Sequence, residues 1–307
     1  MGRRKPARIH GLIGVDKPQG WTSRDVVNHV SGLLGERRCG HTGTLDPDAT
    51  GVLVLAFGSA TKAVRWLNDS HKTYLTTVKF GAETSTDDAQ GEVTRTAPLP
   101  ALNNEVELND ALRTGVGETI AQVPPAVSAL KRDGVRDHQR VRRGETIERE
   151  PRAVDLHEVV LLESTPDTVR VEVTCGPGFY VRAWARDLGR MLGSAAHLVE
   201  LRRTRTAGVT LPNCHTIDAL RAIERDAREA LLQPFEPALQ SVLPSVTVND
   251  EDALALCHGK RPAIEVEVPL DQEHALLQAN GTLVCVARPY LDEEQLRWRV
   301  VRGFTSN

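Results

Sequence analysis

The sequence predicts an α+β protein with a central mixed, largely antiparallel sheet flanked by helices and a small C-terminal β domain. Up to Pro244, short apolar or alternating strand patterns are interspersed with amphipathic helix patterns. After Pro244 the pattern changes to a run of short strands with a single short helical stretch, Glu251 to Cys257. This change predicts a boundary between two structural units.

Composition limits the class of protein. The 307 residues are 40% hydrophobic and 26% charged, so the chain can bury a core and is not disordered. A net charge of −3 neither requires nor excludes a nucleic-acid partner, since a local basic face suffices. Five scattered cysteines without a CxxC pair indicate a reducing compartment and argue against disulfides and zinc. The apolar run from Gly11 to Val15 is too short for a signal peptide, so we expect a cytoplasmic protein that contacts no membrane.

The first half of the chain alternates between predicted strands and helices. Thr22 or Ser23 can cap a helix that ends at Gly35. In "TYLTTVKF", every second residue from Tyr74 belongs to the inward set of a strand. The other predicted elements are a strand from Ile9 to Val15, a buried strand from Val52 to Phe57, and a helix capped by Ser59 that runs to Leu67.

The second half repeats this pattern. Val169, Val171 and Val173 alternate as a strand, and the turn "CGPGF" then delivers Tyr180 and Arg182 to the start of a helix. Arg182 and Arg186 fall outside the apolar stripe of that helix, so we expect both to be free to reach a ligand. "HLVELRRTRTAGV" is a further strand with a basic end, and a helix from Thr216 to Leu232 follows.

The stretch "CGHTGTLDPDATGVLVLAFG" places a carboxylate, Asp46, in a glycine-rich turn before the most apolar run of the chain. Its glycines permit close approach of a ligand to the backbone, and Pro47 biases Asp46 toward an extended conformation. A carboxylate on a loop beside a sheet is a common place for chemistry. Taken alone, however, the pattern also fits an Asx-type turn at the start of a strand.

The same residues allow a second chemical interpretation. Asp46-Pro47-Asp48-Ala49-Thr50 spells DxDxT, the nucleophile signature of aspartate-based phosphotransferases, in which both acids share a Mg²⁺ ion. Chance matches to three fixed positions are frequent. The signature should also follow an apolar strand, whereas "CGHTGTL" precedes it here.

Five ordered motifs carry a resemblance that decides between these interpretations. They are "VDKPQGWTS", "GHTGTLDPDATGVL", "KTY" before a strand, "QVPPAVSALK" and "CGPGFYVRAWARDLGRMLG". Together they resemble the TruB family of bacterial tRNA pseudouridine-55 synthases over roughly Ile9 to Arg205, with a C-terminal PUA-like domain after them. The resemblance implies a pseudouridine-synthase-like fold and isomerisation of a uridine in the TΨC loop of tRNA, without metal or organic cofactor.

The resemblance also implies a set of catalytic residues. Asp46 matches the nucleophilic aspartate, which forms an adduct with either the ribose or the base. Arg182 matches the arginine that pairs with this aspartate. Tyr74 matches the tyrosine that stacks on the target base, and it is a candidate to take the proton from carbon.

Substrate-binding residues follow from the same motifs. His41 matches the histidine that occupies the stack vacated by the flipped base, and Leu201 matches an apolar residue on the other face of the pocket. Tyr180 and Lys17 are also expected to bind substrate. Phosphates are expected to contact Lys131 in the basic insertion and the arginines of the strand end, Arg202, Arg203 and Arg205.

We therefore expect a catalytic domain over residues 1–244 with a basic insertion at 121–152, a PUA-like domain over 245–307, and a monomer. Residues 245–307 carry six Lys/Arg against ten Asp/Glu, so their contribution to RNA binding is open. Phe179, His138 and Val141 depart from the family pattern (threonine, tyrosine and alanine, respectively) and put the RNA contacts of the insertion in doubt. An RNA-binding or RNA-folding module with incidental catalysis is the alternative, although binding alone needs no nucleophile.

Overall fold

Ten strands form one mixed sheet in the computed structural model, which describes residues 6–102, 104–126, 131–132, 135–136 and 149–304. The strands of the chain are β1 (Gly11–Lys17), β2 (Cys39–Thr42), β3 (Thr50–Phe57), β4 (Lys72–Phe80), β5 (Ala82–Thr84), β6 (Val93–Thr96), β7 (Glu118–Gln122), β8 (Lys131–Arg132), β9 (Val135–Arg136), β10 (Arg152–Ser164), β11 (Thr168–Cys175), β12 (Ala196–Thr206), β13 (Val209–Thr210), β14 (Cys214–His215), β15 (Ser245–Val248), β16 (His274–Gln278), β17 (Leu283–Asp292) and β18 (Gln295–Gly303). The sheet order is β14-β1-β3-β12-β4-β11-β10-β7, with β2 paired to β3 and β13 paired to β12. Only the β1–β14 and β3–β12 pairs of this sheet are parallel among the described strands, which confirms the predicted sheet type.

Helices flank this sheet. They are α1 (Ser23–Leu34), α2 (Val64–Leu67), α3 (Glu105–Arg113), α4 (Val181–Met191), α5 (Ile217–Ala222), α6 (Arg225–Glu229), α7 (Glu236–Gln240) and α8 (Asp250–Cys257), with 3-10 segments at Gly58–Lys62 and Leu211–Asn213. The predicted caps of α1 are confirmed: Thr22 and Asp25 form a reciprocal capping box, and Gly35 ends the helix with a φ of 62°.

Strand β3, the most apolar run of the chain, does not alternate between apolar and polar residues because both of its faces are buried. Val52, Val54 and Ala56 belong to one buried cluster, whereas Leu53, Leu55 and Phe57 belong to another. A strand covered on both faces is apolar at every position. Each larger side chain buried in this way stabilises the fold by about 1.5–3 kcal/mol.

The C-terminal strands form a separate four-stranded sheet in the order β15-β16-β17-β18, which confirms the predicted small β unit. This sheet has a separate apolar core, which contains the fully buried Trp298. Its other apolar side chains, among them Leu277, Val286 and Phe304, join the cluster that covers one face of β3. The two sheets therefore share a continuous apolar contact.

Two sequence predictions about helices are wrong. The predicted helix from Thr216 to Leu232 is interrupted at Ile223 and Glu224, which are extended. The Arg228 guanidinium donates to the carbonyls of Leu220 and Arg221, which a continuous helix would have paired with backbone amides.

Ser59 is not a helix cap either. It lies inside the 3-10 segment Gly58–Lys62, whose N-terminus has no side-chain cap. Its backbone amide donates to Nδ1 of His10 instead.

Candidate active site

A cavity of about 430 Å³ opens at the edge of the central sheet, where the loop before β3, the strands β4 and β12 and the start of α4 meet. It contains most of the side chains that the motifs single out. The predicted residues among its lining are His41, Asp46, Tyr74, Tyr180, Arg182 and Leu201. An adjoining cavity of about 310 Å³ shares Asp46, Arg182 and Leu201 with the first.

Asp46 and Arg182 form an ion pair at the mouth of this cavity. The distance from the Arg182 guanidinium to Oδ2 of Asp46 is 2.8 Å. Arg182 is buried, whereas the Asp46 side chain is 46% exposed and therefore accessible to a ligand. Arg182 also donates to the carbonyl of Thr86 at 2.8 Å and lies 3.4 Å from Oδ2 of Asp88. These acceptors fix the plane of the guanidinium, so that one edge faces Asp46.

Hydrogen bonds from three side chains hold the backbone of the loop that carries Asp46. The Ser23 hydroxyl donates to the Leu45 carbonyl and accepts from the Leu45 amide. Nζ of Lys17 donates to the carbonyl of Pro47 at 2.9 Å, and Arg203 donates to that of Gly43 at 3.1 Å. The backbone of this loop is therefore held independently of the Asp46 side chain.

Buried cations form the floor of the cavity. Arg203 is fully buried and donates through Nε to the Val52 carbonyl at 2.7 Å. It lies opposite Tyr74 in the β12–β4 pairing, so its charge lies close to the phenol. Burial raises the pKa of Tyr74, an effect that the charge of Arg203 partly offsets, so the phenol is neutral near neutral pH.

Lys72 is the second cation of the floor. Its Nζ donates to the carbonyls of Asn68 and Ser70 at 2.8 and 2.7 Å. Burial, together with the charge of Arg203, lowers the pKa of Lys72 to about 8. A buried lysine in this state is sensitive to any charge that enters the cavity.

The rim of the cavity is less polar. His41 lies on β2, Leu201 lies on β12, and Tyr180 immediately precedes α4. The backbone of Tyr180 is held by reciprocal hydrogen bonds with the side-chain amide of Gln122. Phe179, one of the three residues that depart from the family pattern, packs in the core and lines the cavity beside Tyr180.

The structure does not bring every predicted contact to the cavity. Lys17 is fully buried, and its Nζ donates to three carbonyls beneath the Asp46 loop. Arg202 pairs with Asp16 at 2.7 Å and with Thr50 at 3.1 Å, outside the cavity. Lys131 lies in the hairpin of β8 and β9. His138 and Val141 lie outside the described residues.

Two expectations about arginines are wrong. Arg186 is not free for a ligand, because it is buried and pairs with Asp87 and Asp187 at 2.8 and 2.9 Å. Arg203 is not an exposed phosphate contact, because its guanidinium is buried against backbone carbonyls. The helical pattern did not show that Arg186 is buried by its ion pairs, and the basic strand end did not show that Arg203 is buried.

Sequence reasoning missed Lys72 and Asp88, and it assigned Arg203 to phosphate contacts rather than to the floor of the cavity. Arg203 and Lys72 lie two positions from Leu201 and Tyr74 on the same strands, so strand alternation could have predicted that they face the same cavity. Asp88 lies in a polar segment whose sequence predicts only turns, and no local pattern links it to Arg182. The described residues contain no group of three or more His, Cys, Asp or Glu side chains placed to hold a metal ion.

Within the described ranges, no helix has the length and apolar character to cross a membrane. Residues 32–181 match the model of the N-terminal domain of TruB family pseudouridylate synthases. Residues 182–240 match the model of the C-terminal domain of tRNA pseudouridylate synthase B.

Curated relatives agree with these matches. The tRNA pseudouridine synthase B of Ralstonia nicotianae is 42% identical, covering 91% of this chain and 89% of the relative. That of Paracoccus denitrificans is 40% identical, covering 94% and 95%. A chain in the crystal structure of a Cbf5–Nop10–Gar1 complex superimposes with a TM-score of 0.73 at 24% identity over 96% of this chain and 85% of that one, which shows a common fold. The chain belongs to the TruB family of pseudouridylate synthases, which are isomerases.

Proposed function

We propose that this chain converts the uridine at position 55, in the TΨC loop of tRNA, to pseudouridine, with Asp46 as the nucleophile and without a cofactor. The observation that carries the proposal is the 2.8 Å ion pair of Asp46 with buried Arg182 at the mouth of a cavity that also contains Tyr74. The tRNA pseudouridine synthase B relatives support tRNA as the substrate.

The reaction needs a carboxylate that is charged and becomes desolvated when the base enters. The net change breaks the bond between N1 and C1′, forms a bond between C5 and C1′ and moves a proton from C5 to N1. Arg182 stabilises the charged form of Asp46 while the bound nucleotide covers its exposed side. Asp46 then attacks either the ribose or the base, and its release regenerates the free carboxylate.

Tyr74 handles the proton in this proposal. Its ring can stack on the uracil. Its hydroxyl lies near the buried Arg203 guanidinium, which lies opposite Tyr74 in the β12–β4 pairing. A neutral phenol held in this way can relay the C5 proton, receiving one proton as it passes on another, rather than act as a strong base.

The rim residues support base flipping. In this proposal His41 fills the place that the base leaves, while Leu201 and Tyr180 enclose the flipped nucleotide. Lys131 and Arg202 contact phosphates, which for Arg202 requires competition with Asp16. Lys17 acts indirectly, by holding the Pro47 carbonyl next to Asp46.

The proposal extends to the organisation of the chain. Residues 1–244, with the insertion at 121–152, carry the chemistry, and residues 245–307 form a PUA-like domain. The enzyme works as a monomer in the bacterial cytoplasm.

The decisive experiment incubates the protein with an unmodified tRNA transcript and maps pseudouridine by position. Wild-type protein should modify position 55 alone, and EDTA should not reduce the chemistry on prefolded tRNA. Asp46→Asn should give no product while binding tRNA as tightly as wild type. Asp48→Asn is the matched control, because Asp48 is an exposed acid two residues away, and it should stay active.

The outcomes separate the alternatives. Product from Asp46→Asn would refute the nucleophile assignment. A wild-type protein that binds tRNA without making pseudouridine would favour the RNA-binding module. Loss of activity in Asp48→Asn together with a requirement for Mg²⁺ in the chemical step would favour the phosphotransferase-like interpretation.

A further inference from the structure

Three cations meet where the C-terminal sheet contacts the catalytic part of the chain. We call Arg38, Lys62 and Arg302 the junction cluster. Nζ of Lys62 donates to the carbonyl of Gly303, the neighbour of Arg302, at 2.9 Å. The carbonyl of Arg38 accepts a hydrogen bond from the amide of Gly58, the first residue of the 3-10 segment that ends at Lys62. These contacts bring three residues from distant parts of the sequence close to one another.

The junction cluster has no counter-charge among the described residues. No carboxylate in these ranges lies within ion-pair distance of Arg38, Lys62 or Arg302. Glu36, in the same loop as Arg38, is turned toward the backbone amides of Arg8 and Arg38. Burial, followed by the charges of Arg38 and Arg302, lowers the pKa of Lys62. Like charges held close together, with no counter-charge in the described part of the chain, attract an anion.

The arrangement is held in place before any ligand arrives. Lys62 lies over the ring of Phe304, 5.8 Å from its centroid. Phe304 is buried against Trp66 and Phe235, with ring centroids 6.3 and 5.4 Å apart. Arg38 and Arg302 are exposed at the edges of this packed contact. A binding group therefore meets a fixed cation with two more accessible ones beside it.

Strand β2 connects the cluster to the cavity. Arg38 immediately precedes β2, and His41 of that strand lines the cavity. Three residues of extended chain span about 10 Å. A cation at this distance can reach a phosphate within a few nucleotides of a base that occupies the cavity.

We propose that the junction cluster binds phosphodiester groups of the tRNA backbone a few nucleotides from the flipped base, and that it joins the C-terminal sheet to the RNA-binding surface. This inference rests on the proposed function, since it assumes a tRNA in the cavity. It also accounts for how a C-terminal unit with a net negative charge contributes to RNA binding: one arginine at its junction, rather than its whole surface, contacts phosphate.

The test measures tRNA binding by the full chain, with fluorescence anisotropy of a labelled, unmodified transcript at 50 to 200 mM salt. Arg38→Ala and Arg302→Ala should each weaken binding about threefold to tenfold. Each should also reduce the slope of log K against log salt by about one, the value for one lost phosphate contact. Arg38→Lys and Arg302→Lys keep the charge and should bind nearly as wild type.

Arg299→Ala is the matched control. Arg299 is an exposed arginine of the same strand as Arg302, but its guanidinium lies over the ring of Tyr290, 5.4 Å from the centroid. It should leave affinity and salt slope unchanged. Melting temperatures within about 2 °C of wild type establish that all variants are folded.

Affinities and salt slopes of Arg38→Ala and Arg302→Ala that match the Arg299→Ala values would overturn the proposal. Weaker binding with an unchanged salt slope would overturn the assignment to phosphate. Because binding is measured without turnover, both results are distinct from failure of the proposed function, which would appear as tRNA binding without pseudouridine in the wild-type protein.

Discussion

The cavity floor and the junction with the C-terminal sheet bury side chains of opposite character. In the floor, Arg203 and Lys72 are buried with their charges, and backbone carbonyls satisfy each one. At the junction, Trp66 and Phe304 bury apolar surface, and charges appear only at its margin. Buried charge is costly unless it is hydrogen-bonded, whereas apolar burial is stabilising throughout. The comparison teaches that the floor is built to position groups and the junction to stabilise the fold.

Deletion of residues 245–307 tests this contrast most severely. If the C-terminal unit were independent, the truncated chain would keep its cavity. The structure argues against this, because deletion removes four large side chains from the shared cluster: Leu277, Leu283, Val286 and Phe304. At about 1.5–3 kcal/mol each they contribute about 6–12 kcal/mol, which is comparable to a typical total stability of about 5–15 kcal/mol. We expect an unfolded or aggregated product by circular dichroism and gel filtration. A truncated chain with a cooperative melt would show that the junction is dispensable.

Trp66→Ala isolates the junction without truncation. Trp66 is buried, contacts Phe304 and donates to Glu273 at 2.7 Å. Its removal should lower the free energy of unfolding by about 3–5 kcal/mol. At 20 °C, kcat per folded molecule should stay within about twofold of wild type, since Trp66 does not line the cavity. Urea titrations and single-turnover assays measure the two effects, and Trp66→Phe, which keeps most apolar contacts, should be milder. A large loss of kcat in folded Trp66→Ala would couple the junction to the chemistry.

Tyr74→Phe should have the opposite profile. The ring remains, but the hydroxyl that relays a proton is lost, and we expect kcat to fall by about 10², or about 2.7 kcal/mol of barrier. Stability should change by only about 1 kcal/mol, the scale of one hydrogen bond. Rapid-quench turnover with saturating tRNA and urea unfolding provide the two measurements. Near-normal turnover would restrict Tyr74 to stacking.

The sequence predicts the junction poorly and the cavity well, for a physical reason. The apolar sequence of β3 shows that the strand is buried, but it does not show which element covers each face. The packing of Val54 in one cluster with side chains of the C-terminal sheet could therefore not be predicted. The Asp46 and Arg182 motifs are local and specific, so their places could be predicted. Burial of Arg203 could not be predicted from composition, because an arginine inside a fold depends on carbonyls that only the tertiary structure supplies.

The floor should also respond to pH through Lys72. Its folded pKa of about 8 lies below the ordinary value of 10.5, so between these values the unfolded chain binds more protons. Stability from this group therefore rises with pH from about 8 to 10.5, by up to about 1.4 kcal/mol per pH unit. Lys72→Met should flatten the pH dependence of the free energy of unfolding relative to wild type, measured in urea from pH 7.5 to 10. Parallel curves for the two proteins would mean that Lys72 titrates normally in the fold.

The margin of the junction should contribute least. Arg65 is 54% exposed, and its guanidinium lies 2.8 Å from Oε2 of Glu273 and 4.4 Å from the ring centroid of Trp66. An exposed ion pair contributes about 0–1 kcal/mol because water and salt screen it. Glu273 would keep hydrogen bonds from Trp66 and Arg288 after Arg65→Ala, so no buried charge is left without a partner. We expect a loss below about 1 kcal/mol in urea unfolding that shrinks further in 0.5 M salt. A loss near that of Trp66→Ala, unchanged by salt, would show that the stacked guanidinium and the ion pair, rather than apolar contact, hold the two sheets together.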